Sequence, residues 1–154
     1  VANAEFTRHA RIHQDEMREI ATNYTRECHG NKAECFVNEM YDAVSDINYV
    51  PNSIFETGVY SPKSTMKNGG DCKNTAVMFL SLMNSVGFEG RVDCNINKEH
   101  CISVIYDEET NWVTDLTIPL IVEMPQDMDV WDYAKYEYQT RFERYNEENG
   151  ILSE

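Results

Sequence analysis

One stretch, residues 69–87, constrains the fold of this chain more than any other. Its middle, residues 76–83, is apolar on nearly every side, and Ser81 is the polar interruption. A helix that is apolar all round has to be buried. We therefore predict a helix that begins after Gly69-Gly70-Asp71, ends at Gly87 and lies at the centre of the core.

Periodic patterns predict further helices. Apolar residues recur at spacings of three and four over residues 5–28 and 34–48, which is typical of amphipathic helices. Residues 49–69 contain prolines and glycines and are predicted as a loop. A last, polar helix is predicted over residues 130–148, with aromatic side chains at Trp131, Tyr133, Tyr136, Phe142 and Tyr145.

Between the central and the last helix the pattern changes. Residues 90–96, 100–106 and 111–116 alternate and contain Val, Ile, Tyr and Trp, which predicts strands. The turns are expected at residues 97–98 and 107–110. Helices followed by a short antiparallel meander predict an α+β fold.

Length and charge limit the organisation and the partners. At 154 residues the chain is predicted to form one domain, with a helical part at 1–48, a core at 60–118 and an acidic helical segment at 123–154. The net charge of −14 argues against nucleic acid and anionic membranes as partners, because phosphates are repelled. No apolar stretch approaches the ~18 residues of a membrane-spanning helix.

Cys72 is placed where a nucleophile would be effective. It follows Gly69-Gly70-Asp71 at the first turn of the most buried helix. The unpaired N–H groups and the positive dipole end of a helix stabilise a thiolate there. The same N–H groups can hold the oxyanion that forms when the thiolate attacks a carbonyl.

Two later residues are candidates for the base and the orienting group that a nucleophilic cysteine needs for acyl transfer. His100 opens a predicted strand and is a candidate general base. Asp115 lies near the end of the next strand, where an antiparallel hairpin can bring it to His100 and fix the imidazole tautomer. Each residue alone is equally typical of a structural role. Their order along the chain is what indicates nucleophilic catalysis.

The run from Tyr60 to Leu116 resembles the transglutaminase-like superfamily of papain-like fold, and most closely its small archaeal and bacterial cysteine peptidases. The motifs are Gly70-Asp71-Cys72, the step Gly87-Phe88-Glu89-Gly90-Arg91-Val92, a strand opened by His100 and a strand ended by Asp115. Cys101 and Ile102 after the histidine, and Lys73-Asn74 after the cysteine, depart from the family pattern.

The resemblance implies roles for particular residues. Cys72 would be the nucleophile, His100 the base and Asp115 the residue that orients it. The backbone of Cys72 would supply one oxyanion donor, and the upstream candidates for the second are Asn48, Tyr49 and Tyr60. No cofactor, metal or calcium is implied, and the substrate would be a protein or peptide with an accessible amide.

The remaining cysteines are candidates for disulfides. Cys28 and Cys35 flank the connection between the first two predicted helices. Cys94 and Cys101 lie opposite each other if residues 97–98 form the hairpin turn. Pairing 28–35 and 94–101 leaves Cys72 free; five free thiols are the alternative. A bridge, and a chain that begins at Val1 and not Met, favour an extracytoplasmic location after processing.

Two alternatives stay open. His9 and His13 are four residues apart and can face one zinc ion, but the residue after His9 is not the glutamate of the metalloprotease motif. The chain can also be a catalytically silent binding module of the same fold. Trp131, Tyr133, Tyr136 and Tyr145 on the acidic C-terminal segment would then anchor a partner.

Overall fold

The computed structural model of the chain describes residues 2–51 and 58–133, and further on residues 135, 139, 143, 144, 147 and 148. Its elements confirm the predicted α+β class. Over these residues they run in this order: α1 (Ala2–Ile12), α2 (Gln14–Tyr24), α3 (Ala33–Val44), α4 (Pro62–Asn68), α5 (Cys72–Ser85), β1 (Gly90–Asn95), a 3-10 turn (Ile96–Lys98), β2 (His100–Tyr106), β3 (Thr110–Asp115), β4 (Leu120–Pro125) and α6 (Val130–Tyr133).

The central helix is α5, as predicted. All of its residues are buried. It begins at Cys72 because the carboxylate of Asp71 caps it, accepting a hydrogen bond from the Asn74 amide at 3.1 Å. Helices α1, α2, α3 and α4 pack around it, and β1 and β2 cover its remaining side. The first residue of the most enclosed helix is therefore a cysteine.

The four strands form one antiparallel sheet in the order β1-β2-β3-β4. Alternate residues of β2 face opposite sides, as pleating requires. Cys101 and Ile105 join the core that surrounds α5. Ile102 and Val104 join a second cluster that includes Val130 of α6. The sheet thus lies between the central helix and the start of the C-terminal segment.

The long first helix of the prediction is wrong, because the structure has two helices in its place. The break lies at His13, whose backbone leaves helical geometry at φ −101° and ψ 4°. The side-chain amide of Gln14 donates to the carbonyl of Arg11 at 3.0 Å, which satisfies one of the carbonyls that the break leaves without a helical partner.

The predicted loop over residues 49–69 is also wrong in part. Its second half is helix α4, which begins at Pro62 behind the N-cap Ser61, whose hydroxyl accepts from the Ser64 amide at 3.2 Å. A proline is well tolerated in the first turn of a helix, so Pro62 marks a helix start and not a break in the chain's regular structure.

A fourth strand was not predicted. β4 pairs with β3 from Thr110↔Pro125 to Asp115↔Leu120, so residues 123–125 are strand and not part of a helical segment. Leu120 and Met124 are buried in the second cluster, while Glu123 between them is exposed. Pro119 precedes this edge strand and Pro125 is its last residue, positions where a missing N–H is tolerated.

The helix predicted over residues 130–148 begins at Val130; α6 is described over Val130–Tyr133, and the described residues 135, 139, 143, 144, 147 and 148 are helical as well. Tyr136, Phe142 and Tyr145 lie outside the described residues. Along the part of the chain that the structure describes, no helix has the length and apolarity to cross a bilayer.

Candidate active site

Cys72 lies at the start of α5, where only 4% of its surface is exposed. The backbone before it is tightly packed against an earlier segment. Gly69 has φ +82°, and a Cβ atom there would lie 2.1 Å from the backbone oxygen of Asn48. Glycine is required on both counts, because a side chain disfavours this φ and would collide with Asn48. This close approach fixes the chain that leads into the cysteine.

His100 and Asp115 form a buried pair. Nε2 of His100 lies 2.6 Å from Oδ2 of Asp115, and both side chains are almost fully enclosed. The other oxygen of Asp115 accepts hydrogen bonds from the amides of Thr117 at 2.9 Å and Ile118 at 3.0 Å. The carboxylate is therefore held from both sides, and its second oxygen is directed at the imidazole.

The electrostatics of the pair favour a charged imidazole. Burial by itself lowers the pKa of His100, but the Asp115 carboxylate opposes it through its charge and hydrogen bond. A hydrogen bond and charge interaction with Cys72 act in the same direction, and together they raise the pKa of His100 from 6.5 to about 10. At neutral pH the ring therefore carries a proton.

The thiol of Cys72 is in contact with this histidine. It takes part in a hydrogen bond with the His100 side chain, whose Nε2 is engaged by Asp115. The Cys72 thiol also donates to the carbonyl oxygen of Glu99 at 3.9 Å. The three residues singled out in the sequence therefore lie in one continuous set of contacts.

The upstream oxyanion candidates all lie beside the start of α5. The amide of Gly70 donates to the Asn48 carbonyl at 3.1 Å, and Tyr49 forms a parallel bridge with Gly70. The amide of Tyr60 donates to the side-chain oxygen of Asn74 at 2.9 Å. Each candidate therefore contacts a residue that is two positions from Cys72 in the chain: Asn48 and Tyr49 contact Gly70, and Tyr60 contacts Asn74.

A buried ion pair supports the same turn, and the sequence interpretation missed it. The side chain of Lys73 is 1% exposed and its ammonium pairs with Asp71, which is fully enclosed. Asp71 also accepts from the Asn74 side-chain amide at 2.9 Å. An aspartate directly before the first residue of an apolar helix is a recognisable N-cap signal. The burial of a lysine at this position has no comparable signature.

Trp131 lies next to the histidine. Its ring meets that of His100 edge-on, with centroids 6.4 Å apart, and its indole N–H donates to Asp93 at 2.8 Å. In the sequence Trp131 is a candidate anchor for a partner. In the structure it is half-buried and packs against the second core cluster.

The other four cysteines are bridged. Cys28 pairs with Cys35 and Cys94 with Cys101, in both cases over a separation of seven residues. Cys94 and Cys101 are directly opposite each other in the β1–β2 ladder. Cys72 is the free cysteine of the chain.

His9 and His13 are neighbours on the helical surface, with ring centroids 4.6 Å apart. Burial, and the charge of His13 next, lower the pKa of His9, while its contact with the Tyr60 carbonyl at 3.3 Å opposes this. Among the described residues, no cluster of three or more His, Cys, Asp or Glu side chains is arranged to hold a metal ion.

The geometry brings together a cysteine at a helix start, a histidine and an aspartate. In comparisons with known proteins, no family model matches the chain, and neither a curated protein nor a solved structure is similar enough to count as a match.

Proposed function

We propose that this protein carries out thiol-dependent acyl chemistry on an amide bond, with Cys72 as nucleophile, His100 as proton carrier and Asp115 as the group that orients His100. The observation that carries the proposal is the continuous contact from Asp115 through His100 to Cys72. Nucleophile, base and orienting group in this order are the arrangement that covalent acyl transfer requires.

The first half of the reaction forms a thioester. The sulfur of Cys72, having passed its proton to His100, attacks the amide carbon, and a C–S bond forms as the carbonyl oxygen gains negative charge. The Cys72 amide N–H, at a helix start where no intrahelical acceptor is available, would stabilise that charge. The C–N bond then breaks, and His100 delivers its proton to the leaving nitrogen.

The second half releases the acyl group. His100, now neutral, accepts a proton from water or from an amine as the oxygen or nitrogen attacks the thioester carbon. The C–S bond breaks and the cysteine is restored. Water gives a peptidase or amidase, and an amine gives cross-linking; hydrolysis is our preferred outcome. The raised pKa of His100 favours the protonated ring that delivers its proton to the leaving nitrogen in the first half.

Sequence and charge support the same proposal. The resemblance of residues 60–116 to the transglutaminase-like superfamily supports a papain-like core within the observed α+β fold. The substrate class we propose is a neutral or basic protein or peptide, because a chain with a net charge of −14 repels acidic partners.

The test is alkylation of the oxidised protein with iodoacetamide from pH 5 to 9, with adducts mapped by peptide mass spectrometry. An activated pair predicts that Cys72 reacts at pH 6, well below the ordinary thiol pKa of about 8.5. His100→Ala should abolish this low-pH reaction, and Asp115→Asn should weaken it while leaving some reactivity.

Controls separate activation from exposure. Unfolding in urea should make Cys72 react with the pH dependence of an ordinary thiol in every variant. If Cys72 in the native protein shows that same ordinary dependence, or if His100→Ala leaves its low-pH reaction unchanged, the proposed chemistry is wrong. If Cys72 is activated as expected, amide and ester substrates are tested next, with Cys72→Ser as the matched inactive variant.

A further inference from the structure

The Cys94–Cys101 bridge lies at the end of the sheet that carries His100. The β1–β2 ladder ends with two pairs, Cys94↔Cys101 and then Asn95↔His100. Backbone pairs at the end of a ladder open most readily, because they have neighbours on one side only. The bridge joins the two strands at the pair next to the terminal pair Asn95↔His100, where opening would displace the imidazole.

The turn beyond the bridge holds an unusual backbone conformation. Glu99 has φ +48°, and it is the one non-glycine residue with positive φ in the part of the chain that the structure describes. Its amide donates to the carbonyl of Ile96 at 3.1 Å, and its own carbonyl accepts from the Cys72 thiol at 3.9 Å. A left-handed conformation is unfavourable for a glutamate and persists only where the surrounding structure imposes it.

The outer strand is itself anchored. The Cys94 amide donates to the side-chain oxygen of Asn3 in α1 at 2.9 Å, which ties β1 to a helix that packs on α5. The bridge extends this anchorage from Cys94 to Cys101 and so to the residue that precedes Cys101, His100. The Cys28–Cys35 bridge has the same sequence separation, but it lies between α2 and α3.

We propose that the Cys94–Cys101 bridge is a positioning element of the catalytic pair, holding Glu99 and His100 against Cys72, so that opening it by a dithiol reductant lowers the reactivity of Cys72. The inference rests on the proposed function, because it concerns the same nucleophile. In the opening step a thiolate of the dithiol attacks one bridge sulfur and the S–S bond breaks. The second thiol then closes the reagent's own disulfide, leaving Cys94 and Cys101 as thiols.

The experiment compares two double variants, Cys94→Ser/Cys101→Ser and the matched control Cys28→Ser/Cys35→Ser, with the wild-type protein. Cys72 alkylation is followed from pH 5 to 9 by mass spectrometry of its peptide. A misplacement of about 1 Å can reduce an enzymatic rate about a hundredfold, so we expect the first variant to react at least about tenfold more slowly at pH 6. Its pH profile should approach that of His100→Ala, whereas the control should keep the wild-type profile.

A second pair of substitutions guards against misfolding. Cys101 is 2% exposed within the core, so Cys94→Ala/Cys101→Val replaces the bridge with apolar groups that suit the site. Circular dichroism checks each fold. Should neither variant fold, wild-type protein is titrated with dithiothreitol while ellipticity and Cys72 reactivity are recorded together. Loss of reactivity before any loss of ellipticity is the expected result.

The outcomes are distinguishable. A wild-type protein whose Cys72 is not activated contradicts the proposed function itself. An activated wild-type Cys72 whose rate and pH profile stay unchanged without the 94–101 bridge refutes the positioning role alone. Equal losses in both double variants would also refute it, because the effect would then be one of general stability.

Discussion

Replacement of Lys73 by methionine tests how strongly the turn before the nucleophile is stabilised. The Lys73 ammonium and the Asp71 carboxylate are both buried, at 1% and 0% exposure, and Lys73→Met keeps most of the side-chain volume. Removing one partner of a buried ion pair costs about 3–5 kcal/mol, because the other charge is left without compensation. Asp71 keeps its two hydrogen bonds to Asn74, so we expect a loss near the lower end, about 3 kcal/mol.

The assay is urea unfolding at pH 7 under oxidising conditions, followed by far-ultraviolet circular dichroism. The matched control is Arg18→Met, which breaks an exposed pair with Asp15 at 2.9 Å and should cost at most about 0.5 kcal/mol. The double variant Asp71→Asn/Lys73→Met removes both charges and should regain part of the loss. A decrease below about 1 kcal/mol for Lys73→Met would refute this reasoning, because burial would then not set the cost.

Two further predictions concern stability. The protonated form of His100 stabilises the fold through Asp115, so this contribution is complete below pH 6.5 and is lost as the pH rises toward about 10. The unfolding free energies of the wild-type protein and of His100→Gln should therefore converge between pH 6.5 and about 10. A difference that stays constant over this range would contradict the prediction. Gly69→Ala should destabilise the protein by more than Gly30→Ala in the same urea assay. Both glycines have φ +82°, but Gly69 combines it with ψ −174°, a region essentially restricted to glycine, and only at Gly69 would the new methyl group collide with Asn48. Equal losses in the two variants would contradict this reasoning.

The features that follow from local pattern could be predicted from the sequence. The apolar residues 76–83 require burial whatever surrounds them, which is why α5 was placed correctly at the centre. The alternation in β1, β2 and β3 gave the order of the meander, and the position of Cys94 opposite Cys101 follows from the ladder. These inferences depend on neighbours in the chain and on pleating, not on distant contacts.

What depends on tertiary contacts could not be predicted. The break at His13 interrupts an apolar pattern that continues through it, so periodicity gives no sign of two helices. β4 follows Pro119 and ends at Pro125, and its buried residues are identified only by the cluster they join. For the site, order along the chain suggested Cys72, His100 and Asp115, but nothing local marks Glu99 as left-handed or Lys73 as buried.

The arrangement of the five cysteines has a consequence for how the chain matures under oxidising conditions. A chain with five thiols can form two bridges in many ways, and most of them consume Cys72. Both observed bridges join partners only seven residues apart, so each closes a short loop whose ends meet often in the unfolded chain. Cys72 would have to close a much longer loop to compete with them. Once these two short loops are closed, no other cysteine of the chain is left to pair with Cys72, and its thiol stays free through the step that oxidises the other four.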